Sequence, residues 1–231
     1  MQREIVITGD GSTTIHLPEW DEQYHSKHGA IQEAYHVFIK HGLNHYFSKI
    51  EKTEAVSILE IGFGTGLNAF ITLLEAEKLK LNIQYSGVEG YPVSLKEIAQ
   101  LNYIETLKSD KKEPVFQKLH LVSWEEMHKL TSQFTLIKQR KLFHQIEDEN
   151  EYNIIYFDAF GARVQPELWT EAIFEKMYNA LEKNGVLVTY SAKGSVRRAM
   201  QSVGFTVERL PGPPGKREML RATKKENAVQ V

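Results

Sequence analysis

Cysteine is absent from all 231 residues. That excludes disulfides, thiolate metal sites and thiol nucleophiles, and it fits a reducing cytoplasm. Net charge is scarce as well, since 28 Lys+Arg against 30 Asp+Glu leave −2. No global attraction to nucleic acid follows from such a balance, so any such contact needs a local basic patch. Long apolar runs are also missing. No stretch approaches membrane-spanning length, and Met1-Gln2-Arg3-Glu4-Ile5-Val6-Ile7 lacks the core of a signal peptide. A soluble, cytoplasmic protein without a membrane partner is expected. The 42% hydrophobic content is enough for one sizeable domain with a small appendage.

What is present centres on Val56-Ser57-Ile58-Leu59-Glu60-Ile61-Gly62-Phe63-Gly64-Thr65-Gly66-Leu67-Asn68. Val56 to Ile61 predicts a strand buried on both faces, and Leu67 to Leu79 predicts a helix. Between them, glycines at every second position force a tight turn and let backbone amides approach a ligand. A dinucleotide fingerprint would need glycine where Leu67 stands, and a P-loop would need a lysine and a hydroxyl after Gly66. The remaining pattern, Glu60-x-Gly62-x-Gly64-x-Gly66, resembles the first motif of S-adenosylmethionine-dependent methyltransferases. That ligand carries no phosphate and so requires no lysine. Its amino-acid end is zwitterionic: Glu60 suits the ammonium, and the loop amides suit the carboxylate. The alternative is a glycine-rich turn with no ligand.

In chain order, residues 3–17 alternate around Gly9-Asp10-Gly11-Ser12 and predict a β-hairpin. Ile31, Tyr35, Phe38, Tyr46 and Ile50 fall near helical spacing, with Gly42 as a break between two helices. Residues 1–50 are read as a hairpin and helical cap over the ligand site, and 51–231 as the main domain. Ile83 to Glu89 predicts the second strand, whose terminal Glu89 is placed to take ribose hydroxyls. Pro92 leads into a helix over Val93 to Tyr103. Val115 to Val122 and Gln133 to Lys138 are expected to pair as a hairpin, with the second in the main sheet. Residues 139–151 predict a short helix and a solvated loop. Tyr152 to Phe157 is a buried strand, Pro166 to Leu181 a helix stopped by Asn184-Gly185, and Val186 to Tyr190 a strand. A helix around Ser195 to Ser202 and strands at Phe205 to Leu210 and Glu218 to Thr223 follow. The alternation gives an α/β, doubly wound, mainly parallel sheet.

Asp158 ends the strand that should lie beside the glycine loop. A carboxylate there can hold an incoming ammonium, orient its lone pair and accept its proton, while Phe160 can stack on a flat base. The bland reading makes Asp158 a loop cap. Nine histidines are present, His41 and His45 four apart, but neither HExxH nor carboxylates at ligand spacing accompany them, so no metal is expected. Positive charge gathers at Ala192 to Arg198 and Pro211 to Arg221. Arg197, Lys216 and Arg217 are candidates for phosphate contact, although a charge run is more often a solvated face.

Read together, Tyr24-His25-Ser26 with Glu33, Gly62 to Asn68, Glu89-Gly90-Tyr91-Pro92, Phe157-Asp158-Ala159-Phe160, Val196-Arg197-Arg198 and Gly215-Lys216-Arg217-Glu218-Met219-Leu220 follow one order. The chain resembles the methyltransferase half of the MnmC-type bifunctional tRNA wobble-uridine enzymes over nearly its whole length. The resemblance implies a Rossmann-like, seven-stranded methyltransferase sheet and S-adenosylmethionine as cofactor. It implies tRNA as substrate, with methylation of the amine of 5-aminomethyl-2-thiouridine. It adds Phe63 and Gly90 to the cofactor set of Glu60, Gly62, Gly64, Gly66, Asn68 and Glu89. Tyr24 and Glu33 join Phe160, Arg197, Lys216 and Arg217 on the substrate side, with Asp158 catalytic. The family's FAD-dependent oxidoreductase half has no room here, so its step is expected to be absent or supplied by a separate protein in trans. The family loop Asp-Ala-Phe-Ala-Pro reads Asp158-Ala159-Phe160-Gly161-Ala162-Arg163, and Lys138-Gln139-Arg140-Lys141 stands where many members carry an acid. No adenine-binding acid is therefore assigned. Two other classes remain open: a methyltransferase for a small-molecule or protein amine, and a silent cofactor-binding module.

Overall fold

The computed structural model describes residues 2–49 and 55–225. Glu4–Ile7 (β1) and Thr13–Leu17 (β2) form the expected hairpin, and Glu22–Gln23 (β3) adds a short third strand. Ala30–Ala34 (α1) runs through a π-helical stretch, Tyr35–Leu43, into Asn44–Phe47 (α2) without the break expected at Gly42. Gly42 answers a packing demand instead. A Cβ there would come within 3.1 Å of both Tyr156 and Val188 side chains, so the helix can lie close on the sheet only with glycine at the contact. Ile50 and the proposed boundary at 50–51 lie outside the described residues.

Val56–Ile61 (β4), Ile83–Val88 (β5), Met127–Lys129 (β6), Phe134–Gln139 (β7), Tyr152–Phe157 (β8), Leu181–Thr189 (β9), Thr206–Pro211 (β10) and Glu218–Thr223 (β11) build one eight-stranded sheet, ordered β10-β11-β9-β8-β4-β5-β7-β6. The strands from β7 to β9 are parallel, and β6, β11 and β10 are antiparallel at the edges. The sheet is thus the expected one with β6 as an extra edge strand. Alternate residues of each strand face opposite sides. Ile58, Tyr156 and Val188 join the core beneath α1, α2 and Leu67–Leu79 (α3), while Leu59, Ile155 and Leu187 join the core beneath Glu171–Ala180 (α7) and Gly194–Ser202 (α8).

Three further expectations change. Val115 to Val122 is not a strand: Glu113–Leu121 is a helix (α6) with Pro114 in its first turn and Phe116 and Leu119, three apart, buried. The antiparallel hairpin partner of β7 is β6. Residues 93–103 do not form one helix but two turns, Leu95–Ile98 (α4), with a Ser94/Glu97 capping box, and Tyr103–Thr106 (α5). Asn102 sits between them because it docks the hairpin. Its Oδ1 accepts from Thr13 N at 2.8 Å, its Nδ2 donates to Gly11 O at 2.9 Å and its N–H donates to Thr13 Oγ1 at 3.0 Å. Finally, the helix expected over Pro166 to Leu181 ends as expected, at Ala180, but α7 begins only at Glu171 after a 3-10 turn at Pro166–Trp169, and β9 starts at Leu181 rather than at Val186. Leu181 already pairs with Tyr152, and the register then shifts before Val186 meets Ile154. Among the described residues no helix is long and apolar enough to cross a membrane.

Candidate active site

From the central β4 the chain winds outward to β5 and β7, then returns to β8 and β9 on the other side. The carboxyl ends of β4 and β8 therefore flank the point where the winding reverses, which is where open α/β sheets bind ligands. The glycine loop and Asp158 both begin there, and Asp158 N donates to Ile61 O at 2.9 Å. Gly62, Gly64 and Gly66 have φ of 88°, 49° and 71°, the left-handed region that favours glycine. Space makes the same demand, for a Cβ on Gly62 would lie 2.8 Å from Asp158 O.

A cleft of about 850 Å³ opens over this loop. Gly62, Phe63, Gly64, Asn68, Glu89, Gly90, Asp158, Tyr24 and Phe160 all line it. Glu89 is held rigidly, with Oε1 accepting from Tyr91 N at 2.8 Å and Oε2 from Gly64 N at 3.1 Å. The loop amides are less available than expected. Gly62 and Phe63 donate to Val88 O, Gly64 to Glu89 and Gly66 to Phe63 O, so none of these four N–H groups is left for a ligand carboxylate.

Glu60 is also displaced from its expected place. It is 1% exposed and lies beneath the cleft floor rather than on it. Asn68 links it to the site. One amide nitrogen donates to Glu60 Oε1 at 2.9 Å and to Asp158 Oδ2 at 2.8 Å, joining the two carboxylates through a single NH2 group. Burial pushes Glu60 well above the ordinary carboxylate range; the Asn68 hydrogen bond opposes this, and Asp158 adds to it. Asp158 is raised to about 7, chiefly by burial and then by Glu33, against the lowering effect of Asn68 and Lys216.

Trp20, Tyr24 and Phe160 form an aromatic wall, with Phe160 edge-on to both others at centroid distances of 5.8 and 5.0 Å. The altered loop after Asp158 is tied down by its own bonds. Trp169 Nε1 donates to Phe160 O at 2.7 Å, Tyr190 Oη to Ala159 O at 2.9 Å, and the Arg163 guanidinium to Asp21 O at 2.7 Å. His25, on the cleft, is lowered to about 4 by burial and so is neutral near pH 7.

The remaining predicted residues lie behind or away from the cleft. Gly66 caps α3, where a Cβ would meet His120 and Leu119 at 2.9 Å. Glu33 pairs with Lys216 and accepts from Ser26 N at 2.9 Å, and Lys216 Nζ stands 3.8 Å from the centre of the Tyr190 ring. Lys216 is thus a half-buried cation already paired with Glu33, rather than the free basic side chain its sequence context suggested. Arg217 is exposed, and Arg197 buries its Nε without a hydrogen-bond partner among the described residues. Neither lines the cleft.

Sequence reasoning missed Trp20, Arg3, Leu142 and Phe143 on the walls, as well as Gly87. A Cβ at Gly87 would lie 2.3 Å from the Phe63 ring. A glycine inside a strand pattern signals such close approach. His41 and His45 sit beside Arg221, both lowered to about 4 chiefly by burial.

These features match a sequence family. The profile described as S-adenosyl-L-methionine-dependent methyltransferase matches residues 105–225, and the chain belongs to that family. The chain is 27% identical over 208 residues to the tRNA 5-methylaminomethyl-2-thiouridine biosynthesis bifunctional protein MnmC of Hydrogenovibrio crunogenus, covering 87% of this chain and 31% of that one. It is 28% identical over 222 residues to the protein of that name in Leptospira interrogans, covering 93% and 34%. The chain therefore spans about a third of the length of these curated relatives. The crystal structure of MnmC2 from Aquifex aeolicus superposes with a TM-score of 0.77 at 27% identity, over 98% of this chain and 71% of that one. Spermidine synthase from Thermotoga maritima, at 12% identity and a TM-score of 0.53 over 100% and 74%, shares the fold alone. The cofactor is S-adenosylmethionine. The cleft suits it: an acid faces the cavity, and the loop beneath carries no Cβ at Gly62 or Gly64.

Proposed function

We propose that this chain methylates the side-chain amine of 5-aminomethyl-2-thiouridine at the tRNA wobble position, giving the 5-methylaminomethyl product. The observation that carries this reading is Asp158, a carboxylate near pKa 7 on the wall of a cleft lined by Trp20, Tyr24 and Phe160. Such a group is charged enough to attract an ammonium and basic enough to take its proton near neutral pH. The aromatic wall suits the flat base that carries the amine. The relatives' names support the choice of tRNA over a small-molecule or protein amine.

S-adenosylmethionine supplies an electrophilic methyl group on a sulfonium. Glu89 would hold its ribose hydroxyls, and Gly90, Leu142 and Phe143 would flank its adenine. Asp158 would orient the amine lone pair, and Asn68 would hold Asp158 in place. Exposed Arg163, Arg198 and Arg217 would meet RNA phosphates, with Lys216 holding the loop that presents Arg217. An oxidoreductase step would supply the aminomethyl precursor.

The test is single-turnover transfer of labelled methyl to tRNA bearing 5-aminomethyl-2-thiouridine, followed by mass spectrometry of its nucleosides. Label on the wobble nucleoside is expected. Label on free polyamines or protein, with none on that tRNA, would sink the proposal.

A further inference from the structure

Across the glycine loop from the aromatic wall, a second cavity of about 260 Å³ opens between the Pro92–Leu95 turn and the end of α6. Lys138 lines it, from the same face of β7 as buried Phe134 and Leu136, and is only 2% exposed. Its Nζ donates to His120 O at 2.7 Å and stands 5.1 Å from the centre of the Trp124 ring. Among the described residues no carboxylate pairs with it. Buried charges are normally paired, because desolvation without a counter-charge is costly. One carbonyl occupies one of three ammonium donors. Burial lowers Lys138 only to about 8, so most of it is charged at neutral pH. His120, lowered to about 3 chiefly by burial and with Nε2 unpartnered among the described residues, adds a neutral imidazole and no anion.

A role limited to capping α6 would need neither the cavity nor the indole beside it, and an exposed lysine could perform it without desolvation. The mouth is apolar, with Leu95 53% and Leu121 66% exposed. The volume lies just below the usual range for small-molecule sites, which limits the occupant to a small group.

We propose that this cavity is a second ligand site, taking a phosphate-type oxyanion attached to a small flat group, with Lys138 as counter-charge and Trp124 as wall. A nucleotide carries both parts, whether it belongs to an RNA strand or is free. The cavity shares Phe63 and Gly64 with the cofactor cleft, so a ligand there would rest against the cofactor loop. The site does not depend on which amine is methylated.

The test is calorimetry on the full chain saturated with S-adenosylhomocysteine, which closes the main cleft to the probe. Uridine 5′-monophosphate should bind, and uridine should bind at least about tenfold more weakly, as loss of a charge-assisted hydrogen bond implies. Lys138→Met should weaken the nucleotide at least as much. Leu121→Glu, at an exposed position that leaves the core intact, should weaken it several-fold by repulsion. Competition between the nucleotide and an anticodon stem-loop RNA would assign the oxyanion to RNA; independent binding would assign it to a free nucleotide. Uridine and its monophosphate binding alike, binding only without S-adenosylhomocysteine, or binding unchanged in both variants would each overturn the site.

Discussion

Two buried charge sites border the one glycine loop, and they are solved differently. On one side Glu60 and Asp158 share the Asn68 amide, at 2.9 and 2.8 Å. On the other, Lys138 has one helix-end carbonyl at 2.7 Å and an indole face. Desolvation acts on both by favouring the neutral form, so the acid rises to about 7 and the base falls to about 8. The acidic side is supported from within, since a single amide donates to both carboxylates. The basic side has no such partner among the described residues. A site organised by its own hydrogen bonds is ready for chemistry, whereas an unbalanced charge is ready for a ligand.

The largest effect should come from Asp158→Asn. The amide is isosteric and can still accept from Asn68, so cofactor binding should persist, while turnover should fall by roughly 10²–10⁴-fold. Only the ionised carboxylate can accept a proton, and ionisation increases as pH rises through about 7. The wild-type rate should therefore climb up to that pH and level above it, and the variant should lose this limb. A variant with normal turnover would reduce Asp158 to a loop cap.

Glu89→Ala should leave that limb in place and weaken S-adenosylmethionine by about 10–100-fold in calorimetry, the value of losing charge-assisted hydrogen bonds to the ribose. Unchanged affinity would move the ribose elsewhere. Asn68→Ala sharpens the comparison, because it removes the group that makes the acidic side self-supporting. Thermal unfolding should report a loss of about 1–3 kcal/mol. The pH–rate limb should also move to higher pH, since the Asn68 bond lowers Asp158. A stability loss with an unmoved limb would limit Asn68 to packing. The smallest effect concerns the two neighbouring cations. Arg217→Ala should reduce the salt slope of tRNA binding by about one counterion, and Lys216→Ala should leave the slope unchanged while destabilising the Glu33 contact. Equal slopes for both variants would put Lys216 on the RNA.

Some of this is legible in the sequence. The alternation of apolar strands and amphipathic helices specifies a doubly wound sheet because each period buries one face. Gly62-x-Gly64-x-Gly66 after a buried strand, and acids ending β5 and β8, locate a ligand site because strand ends converge at the reversal of winding. Short segments were less legible. Val115 to Val122 carries β-branched ends yet forms a helix, since Phe116 and Leu119 share the buried face, and one apolar run supports either period.

The sequence by itself determined the sheet, the loop and the place of Asp158, since these follow from local periodicity and from glycine's freedom at positive φ. Only tertiary structure decided which charges are paired. Asn68 meets Glu60 and Asp158 across 8 and 90 residues, and Glu33 meets Lys216 across 183. Lys138 and Lys216 look alike in the sequence as members of basic runs. One became a buried cation facing a cavity, the other half of an ion pair. Burial and partner geometry are properties of packing between distant segments, and no local pattern encodes them.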